Sequence, residues 1–168
     1  MIPYRITVHC SDTPNGVPVS LEAIRKFHTS PPPEGRGWDD CGYHLVIGVG
    51  GQVEFGRPMV SQGAGVAGDN EGNVQICLIG KDRFTKEQFF ALRCTLDSLV
   101  MAHNIKPWHL YTHNSFPSAW AQRKTCPGFG AGKLCVWYWM NREDAMEDLI
   151  LVPTAGSEPA TSDQGSVL

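Results

Sequence analysis

Long hydrophobic runs and clusters of basic residues are both missing from this sequence. No apolar run approaches the roughly 18 residues that a membrane-spanning helix needs. The N-terminus, "MIPYRITVHC", lacks the charged, apolar and small-residue order of a signal peptide. The net charge is −3, and the lysines and arginines are scattered. We therefore expect a protein made in the cytoplasm, with no membrane insertion and no nucleic-acid partner.

Cysteine pairs with CxxC spacing are also absent, although the chain contains six cysteines. Disulfides persist mainly in oxidising compartments, so a chain without an export signal is expected to keep its thiols reduced. The chain has 168 residues, 42% of them hydrophobic, and can bury a core without cross-links. One globular domain is expected.

The hydrophobic patterns predict short strands alternating with amphipathic helices. Strands are predicted over residues 4–10, 41–58 as a hairpin, 73–80 and 108–114. Helices are predicted over residues 20–28 and 84–104 and from residue 132 onward. Ser20 is a candidate N-cap, and Thr85 with Gln88 forms a capping box. We place the folded domain at residues 1–152 and expect a disordered tail over residues 153–168, because its Ser, Thr, Pro, Gly and acidic composition cannot bury a core.

The first helix is predicted to pack through Leu21, Ile24 and Phe27, which recur on one face. His28 and His103 lie near helix ends. We interpret both as solvent-exposed or favourable to the helix dipole, rather than as ligands.

Three residues combine metal-ligand chemistry with positions where predicted strands end. His9 closes the first strand, His113 closes a later one, and Cys126 follows in the loop "RKTCPGFGAG". Zinc binds imidazole and thiolate at roughly 2.0 to 2.3 Å, and a catalytic site keeps one position open for water. The spacing matches no short-range zinc signature, and a lone histidine or cysteine is more often structural. Residue type alone therefore leaves both interpretations open.

The segment "HLYTH" places His109 and His113 in an HxxxH spacing. It lacks the glutamate of a zinc-protease helix, and it lies in a β-like run after Pro107. We reject the protease interpretation and expect His109 to be a strand residue with its own hydrogen bond.

Several motifs in a fixed order resemble one known family. They are "ITVHCSDTP", "GWDDCGYHLVI", "GQVEFGRP", "NVQICLIG", a long amphipathic helix, "YTHNSF" and "RKTCPGF". This order resembles the zinc-dependent N-acetylmuramoyl-L-alanine amidases of small phage endolysins and peptidoglycan-recognition proteins, from about Tyr4 to Phe129. The resemblance implies a single α/β domain, with a central mixed β-sheet flanked by helices and one zinc ion in a surface groove.

The same resemblance implies roles for five residues. His9, His113 and Cys126 would be the zinc ligands, and Tyr43 and Lys124 would be the catalytic pair. Zinc would activate a water molecule and polarise the scissile carbonyl, Tyr43 would orient the water, and Lys124 would stabilise the charge that develops on the carbonyl oxygen. By residue type alone, Tyr43 would be a packing aromatic and Lys124 a solvated charge.

Two further positions, His44 and Gly65, lie near this set in the sequence but are not assigned a catalytic role. His44 alternates with Tyr43 along its strand, so we expect it in the core or behind the ligands. Many relatives carry a histidine where this chain has Gly65 or a near neighbour. That departure leaves the substrate-binding residues unassigned.

The activity implied is hydrolysis of the amide between N-acetylmuramic acid and L-alanine in peptidoglycan. The implied setting is a monomeric phage endolysin, made in the host cytoplasm and acting on the wall in the periplasm. Some endolysins of this shape also bind and inhibit their phage's RNA polymerase, a partnership that the sequence does not test.

Two alternatives stay open at this point. One is a cytoplasmic amidase that recycles soluble anhydro-muropeptides, in which relatives tend to use aspartate as the third ligand. The other is a peptidoglycan-binding protein without catalysis, in which relatives commonly lack the cysteine.

Overall fold

The computed structural model describes residues 1–151, which form one mixed sheet covered by helices. The strands are β1 (Arg5–Cys10), β2 (Leu45–Ile47), β3 (Val53–Phe55), β4 (Asn73–Leu78) and β5 (Leu110–Thr112). The helices are α1 (Leu21–Thr29), α2 (Lys86–His103), α3 (Pro117–Ala121) and α4 (Ala131–Trp139). Short 3₁₀ turns lie at Pro107–His109, His113–Ser115 and Glu143–Leu149. The predicted tail, residues 153–168, lies outside the described residues.

The strand order is β3-β2-β4-β1-β5, so β4 and β1 are interior strands. The hairpin of β2 and β3 is antiparallel, and the other three pairings are parallel. All six residues of β4 are buried. A parallel strand with helices on both faces is buried along its whole length, as the strand predicted over residues 73–80 is. The predicted α/β class and central mixed sheet are confirmed.

The two faces of the sheet differ in chemistry. Because side chains alternate along a strand, Ile6 and Val8 of β1 lie with Ile76 of β4 in the main hydrophobic core, packed with α2 and α4. The opposite face carries buried polar residues, among them Thr7 and His9. A smaller apolar cluster beneath α1 completes that second face. The polar layer is therefore available to hold a site.

Helix α1 starts as predicted but packs through a different face. Ser20 Oγ accepts the Ala23 N–H at 3.2 Å, and Ile24 is buried. Phe27, however, is 47% exposed, whereas His28 is only 6% exposed. The prediction that Phe27 packs inward is wrong, and His28 is buried rather than solvent-exposed, although it does lie in the last turn of the helix. Residues four apart share a helix face, and the segment after α1 folds back so that the Trp38 ring stacks 4.7 Å from the His28 ring.

Helix α2 confirms its prediction closely. Thr85 is the N-cap, and the capping box with Gln88 is complete. The buried Gln88 amide also donates to the carbonyl oxygens of Ile47 at 3.2 Å and Ile79 at 2.9 Å. This side chain therefore ties the start of α2 to the ends of β2 and β4.

The segment over residues 108–114 is less regular than predicted. Only Leu110–Thr112 pairs with the sheet, and a 3₁₀ turn lies on each side. Pro107 starts the first of these turns. His109 therefore lies in a turn rather than a strand, although its expected hydrogen bond is present, from Nδ1 to the Tyr4 carbonyl at 2.9 Å. All six cysteines are free, and no helix of the described residues is both long and apolar enough to cross a membrane.

Replacing Thr85 by alanine should lower the free energy of unfolding by about 1 to 2 kcal/mol, because the helix loses its N-cap acceptor. The variant also loses the hydrogen bond from Thr85 Oγ1 to the Val49 carbonyl at 2.7 Å. Urea denaturation followed by circular dichroism measures the difference. Ser98→Ala, on the exposed side of the same helix, should change stability by less than about 0.5 kcal/mol. Equal effects of the two substitutions would contradict the role given to the cap.

Candidate metal centre and groove

The register between β1 and β5 brings His9 and His113 together. The strands are parallel, with Thr7 opposite Tyr111. His9 lies two residues after Thr7, and His113 lies two residues after Tyr111. The two histidines are therefore neighbours on one face of the sheet, with ring centroids 4.6 Å apart. Both side chains are buried, at 1% and 8% exposure. Two of the predicted ligands are therefore neighbours, although 104 positions separate them in the chain.

The loop that carries Cys126 is attached to both of these strands. The Cys10 N–H donates to Cys126 Sγ at 3.0 Å, and the Asn114 N–H donates to the Cys126 carbonyl at 2.9 Å. The Asn114 side-chain amide donates to the carbonyls of Thr125 at 3.2 Å and Phe129 at 3.1 Å. Asn114 therefore positions the loop. The sequence showed it only as part of "YTHNSF", without a role.

Gly128 closes the turn after Cys126. Its φ is +89°, a conformation that strongly favours glycine, and its N–H donates to the Thr125 carbonyl at 2.7 Å. A Cβ at this position would lie 2.6 Å from the Cβ of Asp82. The glycine that frames the cysteine in the sequence is therefore required by both backbone conformation and space.

The ligand atoms of His9, His113 and Cys126 lie within 4.8 Å of one another. Nδ1 of His9 is buried and has no hydrogen-bond partner among the described residues. A buried polar atom without a partner is costly, so such an atom points to something that binds there. Two imidazoles and a cysteine sulfur are donors that zinc prefers, and three protein ligands are the number found in catalytic zinc sites. The residues present fit a zinc ion.

The protonation states suit metal binding. Burial, reinforced by the neighbouring His113, lowers the pKa of His9 to about 3. Burial and the Lys124 charge lower the pKa of His113 to about 4. Both rings are therefore neutral at pH 7, with lone pairs free to bind a metal. Contact with the Cys10 thiol and burial raise the pKa of Cys126, so a bound cation would have to displace its proton.

A groove of about 620 Å³ opens beside this cluster, and its lining includes His113, Cys126, Tyr43 and Lys124. All five residues implied by the resemblance therefore converge on one site. A larger apolar cavity of about 780 Å³ lies elsewhere, between β3 and α2. It contains none of the five residues, so the chemistry favours the smaller groove.

Tyr43 lies between two histidines. Its ring centroid is 5.2 Å from that of His9 and 5.2 Å from that of His28. Burial raises the pKa of the Tyr43 phenol well above its usual value, so the hydroxyl keeps its proton and can donate it in a hydrogen bond. His44 is fully buried, and its Nδ1 accepts the Gln75 N–H at 2.9 Å. The expectation for His44 is confirmed.

His28 belongs to the groove, although the sequence interpretation set it aside. The Gly42 N–H donates to His28 Nδ1 at 3.1 Å. That bond places the ring proton on Nε2 in the neutral form. Burial and the positive charge of Arg36 lower the pKa of His28 to about 4. Its position four residues after the buried Ile24 is the one signal in the sequence that could have indicated this.

The metal-free protein should lose stability as the pH falls below about 6.5. Each of the three buried histidines, His9, His28 and His113, is neutral when folded and accepts a proton more readily when unfolded. Stability is therefore fully present above the unfolded pKa and is lost progressively toward pH 4. Each group should contribute a loss on the order of 1 to 2 kcal/mol by pH 5.

Denaturant unfolding of chelator-treated protein between pH 7 and pH 5 measures this loss. His28→Gln should unfold with a shallower pH dependence, because one of the three proton-binding groups is gone. An identical slope in the two proteins would contradict the assignment for His28.

A family model described as N-acetylmuramoyl-L-alanine amidase matches residues 3–129. Among curated proteins, the endolysin of Enterobacteria phage K11 is 33% identical over 138 residues, which cover 73% of this chain and 78% of that protein. The endolysin of Klebsiella phage KP32 is 33% identical over 141 residues, covering 74% and 80%. The endolysin of Escherichia phage T7 is 31% identical over 132 residues, covering 74% and 80%.

Solved structures show the same fold. The amidase LysC from Clostridium intestinale superposes with a TM-score of 0.68 at 24% identity, covering 83% of this chain and 86% of that one. Drosophila PGRP-LB superposes with a TM-score of 0.65 at 25% identity, covering 83% and 82%. The matched residues include the three candidate ligands as well as Tyr43 and Lys124, and the chain belongs to the N-acetylmuramoyl-L-alanine amidase family.

Proposed function

We propose that this protein hydrolyses the amide bond between N-acetylmuramic acid and L-alanine in peptidoglycan, as a phage endolysin with one zinc ion per chain. The observation that carries the proposal is the cluster of His9, His113 and Cys126, whose ligand atoms lie within 4.8 Å of one another beside a groove that also holds Tyr43 and Lys124. We place its synthesis in the host cytoplasm and its action on the wall in the periplasm.

The ligand roles follow from protonation and placement. The two imidazoles are neutral at pH 7, because burial lowers the pKa of His9 to about 3 and that of His113 to about 4. Cys126 would supply the third ligand as a thiolate, with the Cys10 N–H donating to its sulfur. When bound, zinc would lower the pKa of a coordinated water toward 7 and polarise the scissile carbonyl.

Tyr43 and Lys124 would act on the substrate from the groove. The protonated Tyr43 hydroxyl would hydrogen-bond the attacking water and hold it in line with the carbonyl carbon. The Lys124 ammonium would stabilise the negative charge that develops on the carbonyl oxygen, where a charge placed beforehand is most effective. The lysine also lies close enough to His113 and His9 to depress the pKa of both rings.

Cys126→Ser should abolish stoichiometric zinc binding and lower amidase activity by more than about 100-fold, because loss of a ligand exceeds the cost of losing a residue behind one. Metal analysis of the purified protein measures the first effect. Release of free L-alanine N-termini from sacculi, with and without chelator, measures the second. Cys94→Ser, at an exposed position on α2, should retain both zinc and activity. Native zinc content and native cleavage in Cys126→Ser would overturn the ligand assignment.

Tyr43→Phe and Lys124→Ala should each keep the zinc ion and lose activity. We expect kcat to fall by about 100- to 1,000-fold in each variant, because Tyr43→Phe can no longer hold the water and Lys124→Ala can no longer stabilise the developing charge. Phenylalanine retains the ring packing against His9 and His28, so folding should be preserved. Lys86→Ala, exposed on α2, is the matched lysine control and should cleave sacculi at the native rate. Unchanged kcat in either groove variant would remove that residue from the mechanism.

The substrate class separates the endolysin from a recycling amidase. Intact sacculi and soluble anhydro-muropeptides are digested in parallel at equal enzyme concentration. An endolysin should cleave the intact wall, whereas activity confined to the soluble fragments would support the recycling role instead. Binding to sacculi without release of L-alanine N-termini would support a non-catalytic protein.

A further inference from the structure

A polar side chain lies in the middle of the sheet, directly behind a proposed metal ligand. Gln75 belongs to the central strand β4 and is fully buried. In the parallel register it pairs with Thr7, so its side chain shares the polar face with His9. Gln75 Oε1 lies 2.6 Å from His9 Nε2, both atoms being buried. A glutamine at this position needs a reason, because the strand is otherwise largely apolar.

The orientation of the Gln75 amide follows from its other neighbour. The Val66 N–H donates to Asn70 Oδ1 at 2.8 Å, so Asn70 presents its oxygen to this region. Gln75 approaches the same oxygen with Nε2 at 3.4 Å, a long contact that only the NH₂ group can make favourably. Gln75 must then turn its oxygen toward His9. An oxygen acceptor requires the proton of the neutral imidazole to be on Nε2.

The consequence for His9 is a fixed tautomer. With the proton on Nε2, the lone pair lies on Nδ1. That atom is the buried nitrogen without a hydrogen-bond partner among the described residues. The bond from Nε2–H to Gln75 therefore both orients the ring and exposes the nitrogen that can bind a metal.

Gly65 provides the space for this arrangement. A Cβ at residue 65 would lie 2.7 Å from Gln75 Oε1 and 3.0 Å from His9 Nε2. Any side chain there would push the amide away from the imidazole. The glycine at residue 65 therefore leaves the space that the buried glutamine amide occupies.

We propose that Gln75 is a positioning residue that holds His9 in its Nε2–H tautomer for zinc binding, and that Gly65 is required because it admits the Gln75 side chain. This inference rests on the proposed function, since it takes His9 as a zinc ligand. Gln75 does not touch the substrate. It acts through His9.

Gln75→Met tests the proposal, because methionine keeps the length of the side chain but removes the amide. Long-range ¹H–¹⁵N spectra of the metal-free protein report which nitrogen of His9 carries the proton. The native protein should show the Nε2–H form alone, and the variant should show a mixture of tautomers. Zinc affinity, measured by competition with a chromophoric chelator, should fall by roughly 10- to 100-fold.

Gly65→Ala is the second variant, and it leaves Gln75 in place. We expect the same mixture of tautomers and a similar loss of zinc affinity, because the added methyl group displaces the amide. Gly132→Ala is the matched control, since a Cβ there meets no atom within 4 Å. Gln88→Met is the control for loss of a buried amide away from the site, and it should lower stability without changing zinc affinity.

The outcomes separate this inference from the proposed function. A native protein that binds no zinc would overturn the proposed function, while the tautomer of metal-free His9 would still test the role of Gln75. Native zinc affinity and a single Nε2–H tautomer in both Gln75→Met and Gly65→Ala would overturn this inference alone.

Discussion

The parallel pairing of β1 with β5 is the constraint on which the rest of the site depends. It places the carboxyl ends of two strands side by side, with Thr7 opposite Tyr111 and therefore His9 beside His113. A shift of the register by one residue would turn one histidine to the hydrophobic face. The loop of Cys126 is then attached to the same two strands, through the Cys10 N–H and through Asn114.

Burial of the polar groups at this site costs folding free energy but keeps the histidines in the protonation state that metal binding requires. Polar groups on the α1 side of the sheet are desolvated, which costs free energy unless each group finds a partner. The structure gives most of them one: Thr7 Oγ1 donates to Asn73 Oδ1 at 2.9 Å, and His44 accepts from the Gln75 backbone. The same desolvation keeps the imidazoles neutral, which a metal ligand requires. His9 Nδ1 is left without a partner among the described residues, and that is where metal chemistry is expected.

The groove beside this cluster combines aromatic and charged side chains. Its wall combines aromatic rings from Trp38 and Tyr43 with positive charge from Arg36, Arg123 and Lys124. Aromatic rings can pack against sugar or peptide groups, and positive side chains can bind carboxylates. Such a surface suits an extended substrate that carries both. Helix α1 forms one side of the groove, and its inner face carries His28. The groove therefore depends on the sheet and also on the contact between His28 and Trp38, which lies just after the proline-rich segment.

The sequence by itself determined the local elements and the chemical types of the site. Ser20 and the Thr85 capping box act within four residues, so they could be identified without tertiary information. Motifs in a fixed order indicated His9, His113 and Cys126 as candidate ligands. The tertiary structure decided which of these residues meet. In the structure His28, and not Phe27, lies on the inner face of α1, and the last strand is limited to Leu110–Thr112. The contacts of Asn114 and Gln75 are also visible only there. Those outcomes depend on contacts between segments far apart in the chain, and periodicity within one segment does not contain that information.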